Sequence, residues 1–163
     1  MSQRADFVAK ARAEIGTKEE PPNSNRTKYG KFTGHDGQPW CGSFVMWCAA
    51  QVKLKLPNVI YTPAGVKGFQ GIGAWQNSAT ATPAPGDIAF FDFPGNESKV
   101  DHVGIVVKDN GDGTVTTCEG NTSESGSQSN GGEVLMKVRA YKANNKRKLP
   151  VFIVGFGKPK FKD

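Results

Sequence analysis

Three cysteines and two histidines give this sequence its candidates for nucleophilic chemistry. Cys41 follows the turn-rich loop 17–39 and begins an apolar segment, 41–52, that is predicted to form a buried helix. The free N–H groups and the dipole of a helix N-terminus favour a thiolate there, and they can stabilise an oxyanion on a bound carbonyl. Cys48 lies about two helical turns further on, and Cys118 lies in a predicted strand, so both are interpreted as packing residues. Cys41 is therefore the predicted nucleophile.

A base and its orienting partner are predicted on two neighbouring strands. His102 begins an apolar strand, the segment 109–113 has the composition of a hairpin turn, and Glu119 ends the strand that follows. Pairing around that turn places His102 almost directly opposite Glu119, within hydrogen-bonding reach. Asn121, two residues further on, is a candidate either for a second orienter or for a residue that polarises the substrate. A thiolate, a histidine base and an orienting acid or amide together form the general arrangement of cysteine nucleophilic catalysis.

The elements that must position these side chains follow from hydrophobic periodicity. A helix over residues 2–15 is predicted from the N-cap Ser2 and the spacing of Phe7, Ala11 and Ile15. Further helices are predicted over 41–52 and 63–69, and strands over 88–93, 102–107, 114–119, 133–139 and 150–156. Helices followed by a meander of about five strands indicate an α+β fold with an antiparallel sheet.

The length and composition of the chain limit the number of domains and the class of protein that it can be. The chain has 163 residues, of which 37% are hydrophobic, so one domain spanning residues 1–163 is predicted. No apolar run approaches the roughly 18 residues of a membrane span, so no membrane insertion is expected. The first residues lack the apolar region of a signal peptide, which predicts synthesis in the cytoplasm.

Positive charge is concentrated near the C-terminus. Residues 137–163 hold nine basic side chains and one acid, whereas residues 1–136 hold twelve basic side chains and fourteen acids. The nine are Lys137, Arg139, Lys142, Lys146, Arg147, Lys148, Lys158, Lys160 and Lys162. This pattern indicates either a solvated face or affinity for an anionic polymer. Nucleic acid is not favoured, because no recognition motif or aromatic platform accompanies the charge.

Four short blocks of the sequence resemble the CHAP family, the cysteine, histidine-dependent amidohydrolases/peptidases related to NlpC/P60 within the papain-like superfamily. They are Pro39–Val45 around Cys41, Pro85–Phe91, Asp101–Val106 around His102, and Glu119–Asn121. The blocks occur in the family's order. The resemblance implies a papain-like fold with N-terminal helices packed on the sheet.

The same resemblance implies the function. It suggests a peptidoglycan hydrolase similar to phage endolysin catalytic domains, which cleaves either a peptide bond or the muramoyl–L-alanine amide. Cys41 would be the nucleophile, His102 the base, Glu119 the orienter and Asn121 a supporting residue. Tyr29 and Trp40 would contact substrate, although Tyr29 equally fits an ordinary packing role.

Neither a cofactor nor a metal is expected. Some members of the family bind calcium through several Asp before the nucleophile, but residues 17–40 offer only Glu19, Glu20 and Asp36. The segment 109–113 lacks the glutamate that a calcium loop needs, because position 120 is Gly. A monomer is expected, made in a host cytoplasm and acting on the wall after release, with the basic C-terminal third attracted to anionic wall polymers.

Two other functions remain open from the sequence. The same site could transfer the acyl group to an amine instead of water. Alternatively, the chain could be a basic wall-binding module on a papain-like scaffold without activity, although the complete set Cys41, His102 and Glu119 argues against a degenerate site.

Overall fold

The computed structural model describes residues 2–94 and 99–162, and within these ranges the chain forms four α-helices and six β-strands. The helices are α1 (Gln3–Ala13), α2 (Lys28–Thr33), α3 (Cys41–Gln51) and α4 (Thr62–Gly71). The strands are β1 (Trp75–Asn77), β2 (Ile88–Phe91), β3 (His102–Asp109), β4 (Thr114–Thr122), β5 (Glu133–Ala140) and β6 (Ile153–Gly157). None of the helices in these ranges is long and apolar enough to cross a membrane.

The strands form one sheet in the order β1-β6-β2-β3-β4-β5, and each neighbouring pair is antiparallel. The predicted α+β class with an antiparallel sheet is therefore confirmed. The sheet has six strands, not about five. The additional strand, β1, contains three residues that pair with β6, and a segment this short carries too little periodicity to be recognised from sequence.

The first helix, α1, is shorter than the helix predicted over residues 2–15. Ser2 caps α1 by accepting a hydrogen bond from the Ala5 N–H, and Phe7 and Ala11 are fully buried, as predicted. The helix ends at Ala13, before Ile15 would complete the apolar stripe. Ile15 is 43% exposed, so its predicted core position was wrong.

The loop predicted over residues 17–39 contains a short helix. Thr27 caps α2 by accepting a hydrogen bond from the Gly30 N–H, and Gly34 ends the helix with a left-handed φ of 78°. The prediction of an uninterrupted loop was therefore wrong. The helix places Tyr29 in the core beneath α3.

The apolar helix α3 is the centre of the core, as predicted. It packs on β3 and β4 and contacts α1 and α2. Close approach to β4 requires a glycine, since a Cβ at Gly120 would lie 2.7 Å from the Cβ of Phe44. The backbone of β4 therefore lies directly against the first turn of α3.

The two faces of the sheet differ in what they carry. Val103, Ile105 and Cys118 point into the main core with the helices. Alternation along the strands places His102 and Glu119 on the other face, which carries a smaller cluster that includes Phe91, Phe93, Val106 and Val115. The polar side chains of His102 and Glu119 therefore pack beside aromatic rings, where β3 begins and β4 ends.

Candidate active site

Cys41 is the first residue of α3, and its side chain is almost fully buried at 4% exposure. The Phe44 N–H donates to the Trp40 carbonyl, and the N–H groups that precede it have no acceptor within the helix. Gly42 allows a neighbouring segment to approach this end, because a Cβ there would lie 2.3 Å from the carbonyl oxygen of Val59. The thiol therefore lies at a helix N-terminus beside a second stretch of backbone.

His102 and Glu119 form a buried pair. The His102 Nε2 and Glu119 Oε1 atoms are 2.8 Å apart, and both side chains are fully buried. The sequence predicted this contact, and the structure contains it. Binding at Nε2 leaves Nδ1 as the ring nitrogen that can exchange a proton with another group.

The Cys41 thiol lies next to the His102 ring. Burial opposes a charge on His102, but its interactions with Cys41 and Glu119 outweigh burial and raise its pKa to about 9. Among the described residues, no atom completes a hydrogen bond to Nδ1. Catalytic hydrogen bonds are often long in the absence of substrate, so Nδ1 is placed to take the proton of Cys41.

The register between β3 and β4 differs from the one expected. Ile105 pairs with Cys118 and the register shifts beyond Val106, which places Glu119 opposite Gly104 instead of His102. Continuing the pairing of Asp109 with Val115 from the turn would place Glu119 opposite Ile105, and the irregularity moves it to Gly104. The prediction that His102 and Glu119 lie almost directly opposite each other was therefore wrong by two residues. Two residues of displacement keep both side chains on one face, so Glu119 still reaches His102 diagonally.

Arg139 of β5 completes the surroundings of Glu119. Its Nε donates to Oε2 at 2.8 Å and its Nη2 donates to Oε1 at 2.7 Å. The Thr117 hydroxyl also donates to Oε2, at 2.5 Å. Burial alone would raise the pKa of Glu119, but Arg139 and His102 lower it to about 2. Glu119 is therefore an ionised carboxylate inside the protein.

The other two thiols have no such partners. Burial raises the pKa of Cys48 well above its ordinary value. Burial also raises the pKa of Cys118 to about 12, and its Sγ donates to the Ala11 carbonyl. A thiol held in its protonated form is a poor nucleophile, which agrees with their predicted packing roles.

Asn121 does not orient His102. Its Nδ2 donates to Asn130 Oδ1 at 2.8 Å, and its Oδ1 accepts from the Gly132 N–H at 3.0 Å. These bonds hold the loop between β4 and β5. Among the described residues, His102 bonds through Nε2 to Glu119 and makes no hydrogen bond to Asn121, so the contacts of Asn121 support a role in fixing this loop and not the expected role at the histidine.

The two predicted substrate contacts, Tyr29 and Trp40, are corrected by the structure. Both side chains are fully buried, and their rings stack 5.5 Å apart behind Cys41. The Tyr29 hydroxyl donates to Glu14, and the Trp40 Nε1 donates to Glu19. They support the first turn of α3 from inside the core and present no surface to a substrate.

A cleft of about 520 Å³ opens at Cys41. Ile60, Tyr61 and Pro63 line it, and Tyr61 is 64% exposed. His35 and Lys99 also border the cleft. Tyr61 carries no signal in the sequence, because only the packing of the segment that contains it against Gly42 brings it to the nucleophile.

Two of the three acidic residues considered as metal ligands, Glu19 and Asp36, have protein partners. Glu19 accepts hydrogen bonds from Trp40 Nε1 and the Asn25 N–H, and Asp36 accepts one from the Thr27 N–H. The segment 109–113 is a turn between β3 and β4, as predicted. Within residues 2–94 and 99–162, no group of three or more metal-binding side chains occurs.

The family model of the CHAP domain matches residues 33–121. No curated protein matches the chain. The crystal structure of Ly7917 aligns with a TM-score of 0.50 and 16% identity, over 96% of this chain and 62% of that one.

A Staphylococcus aureus protein described as similar to a lipoprotein of the NLP/P60 family aligns with a TM-score of 0.48 and 13% identity. That alignment covers 96% of this chain and 41% of the other. The chain therefore spans less than two thirds of the length of either structure. At this level of identity, the likeness to Ly7917 shows a shared fold.

Proposed function

The chain belongs to the CHAP domain family, and from this premise we propose that it hydrolyses an amide bond of bacterial peptidoglycan with Cys41 as the nucleophile. The carrying observation is the assembly of Cys41, His102 and Glu119 from three separate elements into one buried group. A helix N-terminus holds the thiol, the first residue of β3 supplies the imidazole, and β4 supplies the carboxylate.

The proposed reaction begins with transfer of the Cys41 proton to His102 Nδ1. The thiolate attacks the carbonyl carbon of the substrate amide, and the free N–H groups at the start of α3 stabilise the negative oxygen. His102 returns the proton to the amide nitrogen as the C–N bond breaks, which releases an amine and leaves a thioester on Cys41. A water molecule then gives its proton to His102 and attacks the thioester, releasing a carboxylic acid and the thiol.

The cleft at Cys41 supports the proposal that the substrate is a short peptide of the wall. Its wall combines the exposed Tyr61 ring with Ile60 and Pro63. Lys99 and Asp101 add one positive and one negative charge at its border. A flat apolar ring beside a nucleophile suits a short peptide lying against it. Lys99 is suited to a free carboxylate, a group that peptidoglycan stem peptides carry.

The biological setting is also proposed. The resemblance of the motifs to phage endolysin catalytic domains supports a lysin that is made in a host cytoplasm and acts on the wall after release. Six of the nine C-terminal basic side chains are exposed, and these are the groups available to anionic wall polymers. The other three are Arg139, Lys137, which donates to the Ser123 carbonyl, and Lys158, which is paired with Asp87.

Digestion of purified peptidoglycan tests the function. Insoluble wall is incubated with the native chain, with Cys41→Ser and with the matched thiol variant Cys48→Ala, and the soluble products are identified by mass spectrometry. The proposal expects products that have gained water and a new amine terminus, lost in Cys41→Ser and kept in Cys48→Ala. The position of the new terminus distinguishes a peptide bond from the muramoyl–L-alanine amide.

The same experiment separates the alternatives. Products that carry an added amine in place of water would identify an acyltransferase. Sedimentation of the native chain with the wall, without any released fragment, would identify a binding module. Either outcome would overturn the proposed hydrolysis.

A further inference from the structure

The carboxylate of Glu119 is bound by more donors than an orienting role needs. Each of its oxygens accepts two hydrogen bonds: Oε1 from His102 and Arg139, and Oε2 from Arg139 and Thr117. Both oxygens are thereby fixed in direction. The guanidinium makes the only two-point contact of the four bonds, and bidentate pairs of this kind give both strength and geometry.

Arg139 is itself held in place. Its guanidinium carbon lies 5.4 Å from the centre of the Phe91 ring and 5.0 Å from that of Phe93. The same two rings contact His102, at 5.4 Å and 5.7 Å between ring centres. The rings of Phe91 and Phe93 therefore contact both the imidazole of His102 and the guanidinium of Arg139.

From these contacts we propose that Arg139 is a positioning residue, which keeps Glu119 ionised and aimed at His102 through its two-point ion pair. The inference rests on the proposed role of Glu119 in the Cys41 site. An isolated carboxylate in this fully buried position would take up a proton and cease to support the imidazolium. Arg139 cannot lose its own charge in a protein, so it is a permanent counter-ion.

Several other titratable groups surround Glu119, and the test must allow for them. His102 faces it from β3, Lys137 and Arg139 from β5, and Cys118 adjoins it on β4. Cys41 acts on His102 from α3. Lys137 carries a positive charge whether or not Arg139 is present, and it remains unchanged in every variant below.

The test observes His102 directly, without any substrate. The chain has two histidines, so imidazole NMR signals can be assigned with a His35→Gln variant. Arg139→Met keeps a flexible, unbranched side chain and removes the guanidinium with its charge. The expected result is a fall of the His102 titration midpoint by at least about one pH unit, because a protonated Glu119 no longer stabilises the imidazolium.

Graded variants separate the ion pair from a simple contribution to folding. Arg139→Lys keeps one charge without the two-point contact, so its midpoint should lie between those of the native chain and Arg139→Met. Arg147→Met is the matched control, because Arg147 forms an exposed ion pair with Asp112, and it should leave His102 unchanged.

Chemical rescue provides the readout that a structural role would not give. A cavity of about 120 Å³ adjoins Arg139, lined also by Leu149 and Phe152. Ethylguanidinium added to Arg139→Ala should enter the enlarged cavity and restore the midpoint, whereas ethylammonium, which cannot make the two-point contact, should restore it only in part. On a soluble peptidoglycan fragment, Arg139→Met should lower kcat by about 10- to 100-fold, the size of effect that supporting groups have at other sites, with little change in KM.

Two results would overturn the proposal. One is an unchanged or raised His102 midpoint in folded Arg139→Met. The other, which decides the matter if Arg139→Met does not fold, is a native midpoint in Arg139→Lys together with no response of Arg139→Ala to ethylguanidinium. Because the midpoint is read without substrate, a chain that fails to cleave peptidoglycan would contradict the proposed function and leave this inference standing.

Discussion

Glu119 reaches His102 across Gly104. A Cβ at position 104 would lie 2.6 Å from the Cγ of Glu119, which is closer than two carbons can approach without displacement. The glycine therefore leaves space for the glutamate side chain to lie over the β3 backbone. The sequence block Asp101–Val106 therefore contains both the base, His102, and the glycine that leaves space for Glu119.

The first prediction follows from this contact. Gly104→Ala should displace Glu119 from its four hydrogen bonds and lower kcat/KM by at least about 10-fold, since small misplacements of catalytic groups have large effects. Gly71→Ala is the control, because nothing lies within 4 Å of a Cβ there. Kinetics on one soluble peptidoglycan fragment make the comparison. Equal kcat/KM values for Gly104→Ala and the native chain would contradict the diagonal contact.

The second prediction separates the three thiols. Cys41→Ser should reduce turnover by about 10³-fold or more, as loss of a nucleophile does in other hydrolases, while the fold is retained. Cys48→Ser should keep its turnover and lose about 1–3 kcal/mol of stability, because it buries a hydroxyl in an apolar helix. Activity assays and urea unfolding of both variants provide the measurement. Loss of activity in a folded Cys48→Ser, with Cys41→Ser active, would assign the nucleophile to Cys48.

The residues of the site that can be predicted from the sequence are those marked by their immediate neighbours in the chain. Cys41 and His102 each begin an element, and the start of an element can be read from turn residues and a change of period. The His102–Glu119 contact survived an error of two residues in register because a strand repeats its direction every two residues. An error of one residue would have placed Glu119 on the wrong face.

The remaining parts of the site depend on distant packing. In the sequence, Arg139 is one of nine basic residues near the C-terminus. Its contact with Glu119 depends on the alignment of β5 with β4 across a ten-residue loop, 123–132. The position of Tyr61 beside Cys41 depends on the contact between the segment that contains it and Gly42. Tyr29 and Trp40 were assigned to substrate from a resemblance that cannot distinguish an aromatic ring beneath a nucleophile from one beside it.

The third prediction concerns stability and pH. The pKa of His102 rises from 6.5 to about 9 on folding, so its contribution is complete below pH 6.5 and is lost as the pH rises through 9. The pKa of Glu119 falls from 4.5 to about 2, so its contribution is present above pH 4.5 and is lost as the pH falls towards 2. Stability from this pair should therefore be greatest between these two limits, at pH 4.5 to 6.5.

Urea unfolding between pH 5.5 and 9.5 measures the alkaline side. The free energy of unfolding should fall above pH 6.5 with a slope of up to about 1.4 kcal/mol per pH unit for one proton. His102→Gln should remove the part of that slope that the titration of His102 contributes. Parallel curves for the native chain and His102→Gln would show that His102 titrates alike in the folded and unfolded states.

The fourth prediction tests the cleft wall. Tyr61→Ala removes an exposed ring beside Cys41 and should raise KM for a peptidoglycan fragment several-fold, with kcat nearly unchanged, because the ring binds substrate without touching the reacting bond. Phe32→Ala is the matched control, as Phe32 is 56% exposed and lies outside the lining of the cleft. A native KM in Tyr61→Ala would remove this residue from the substrate site.

The fifth prediction distinguishes the two roles considered for Asn121. An orienter of His102 would change the histidine titration when it is lost, whereas a loop anchor would change stability. Both ends of the Asn121 amide bind the loop that joins β4 to β5, and its φ of 57° is left-handed, a conformation that asparagine tolerates better than alanine does. Asn121→Ala should therefore lose about 1–3 kcal/mol of stability and keep the native His102 midpoint.

Asn130→Ala provides the matched control for this last prediction. It removes the partner of the Asn121 Nδ2 while leaving position 121 and its bond to the Gly132 N–H intact. It should lose less stability than Asn121→Ala and leave the His102 midpoint equally unchanged. Urea unfolding at pH 6 and imidazole NMR on the same samples give both quantities. A shifted midpoint in Asn121→Ala alone, with native stability, would restore Asn121 as an orienter of the imidazole.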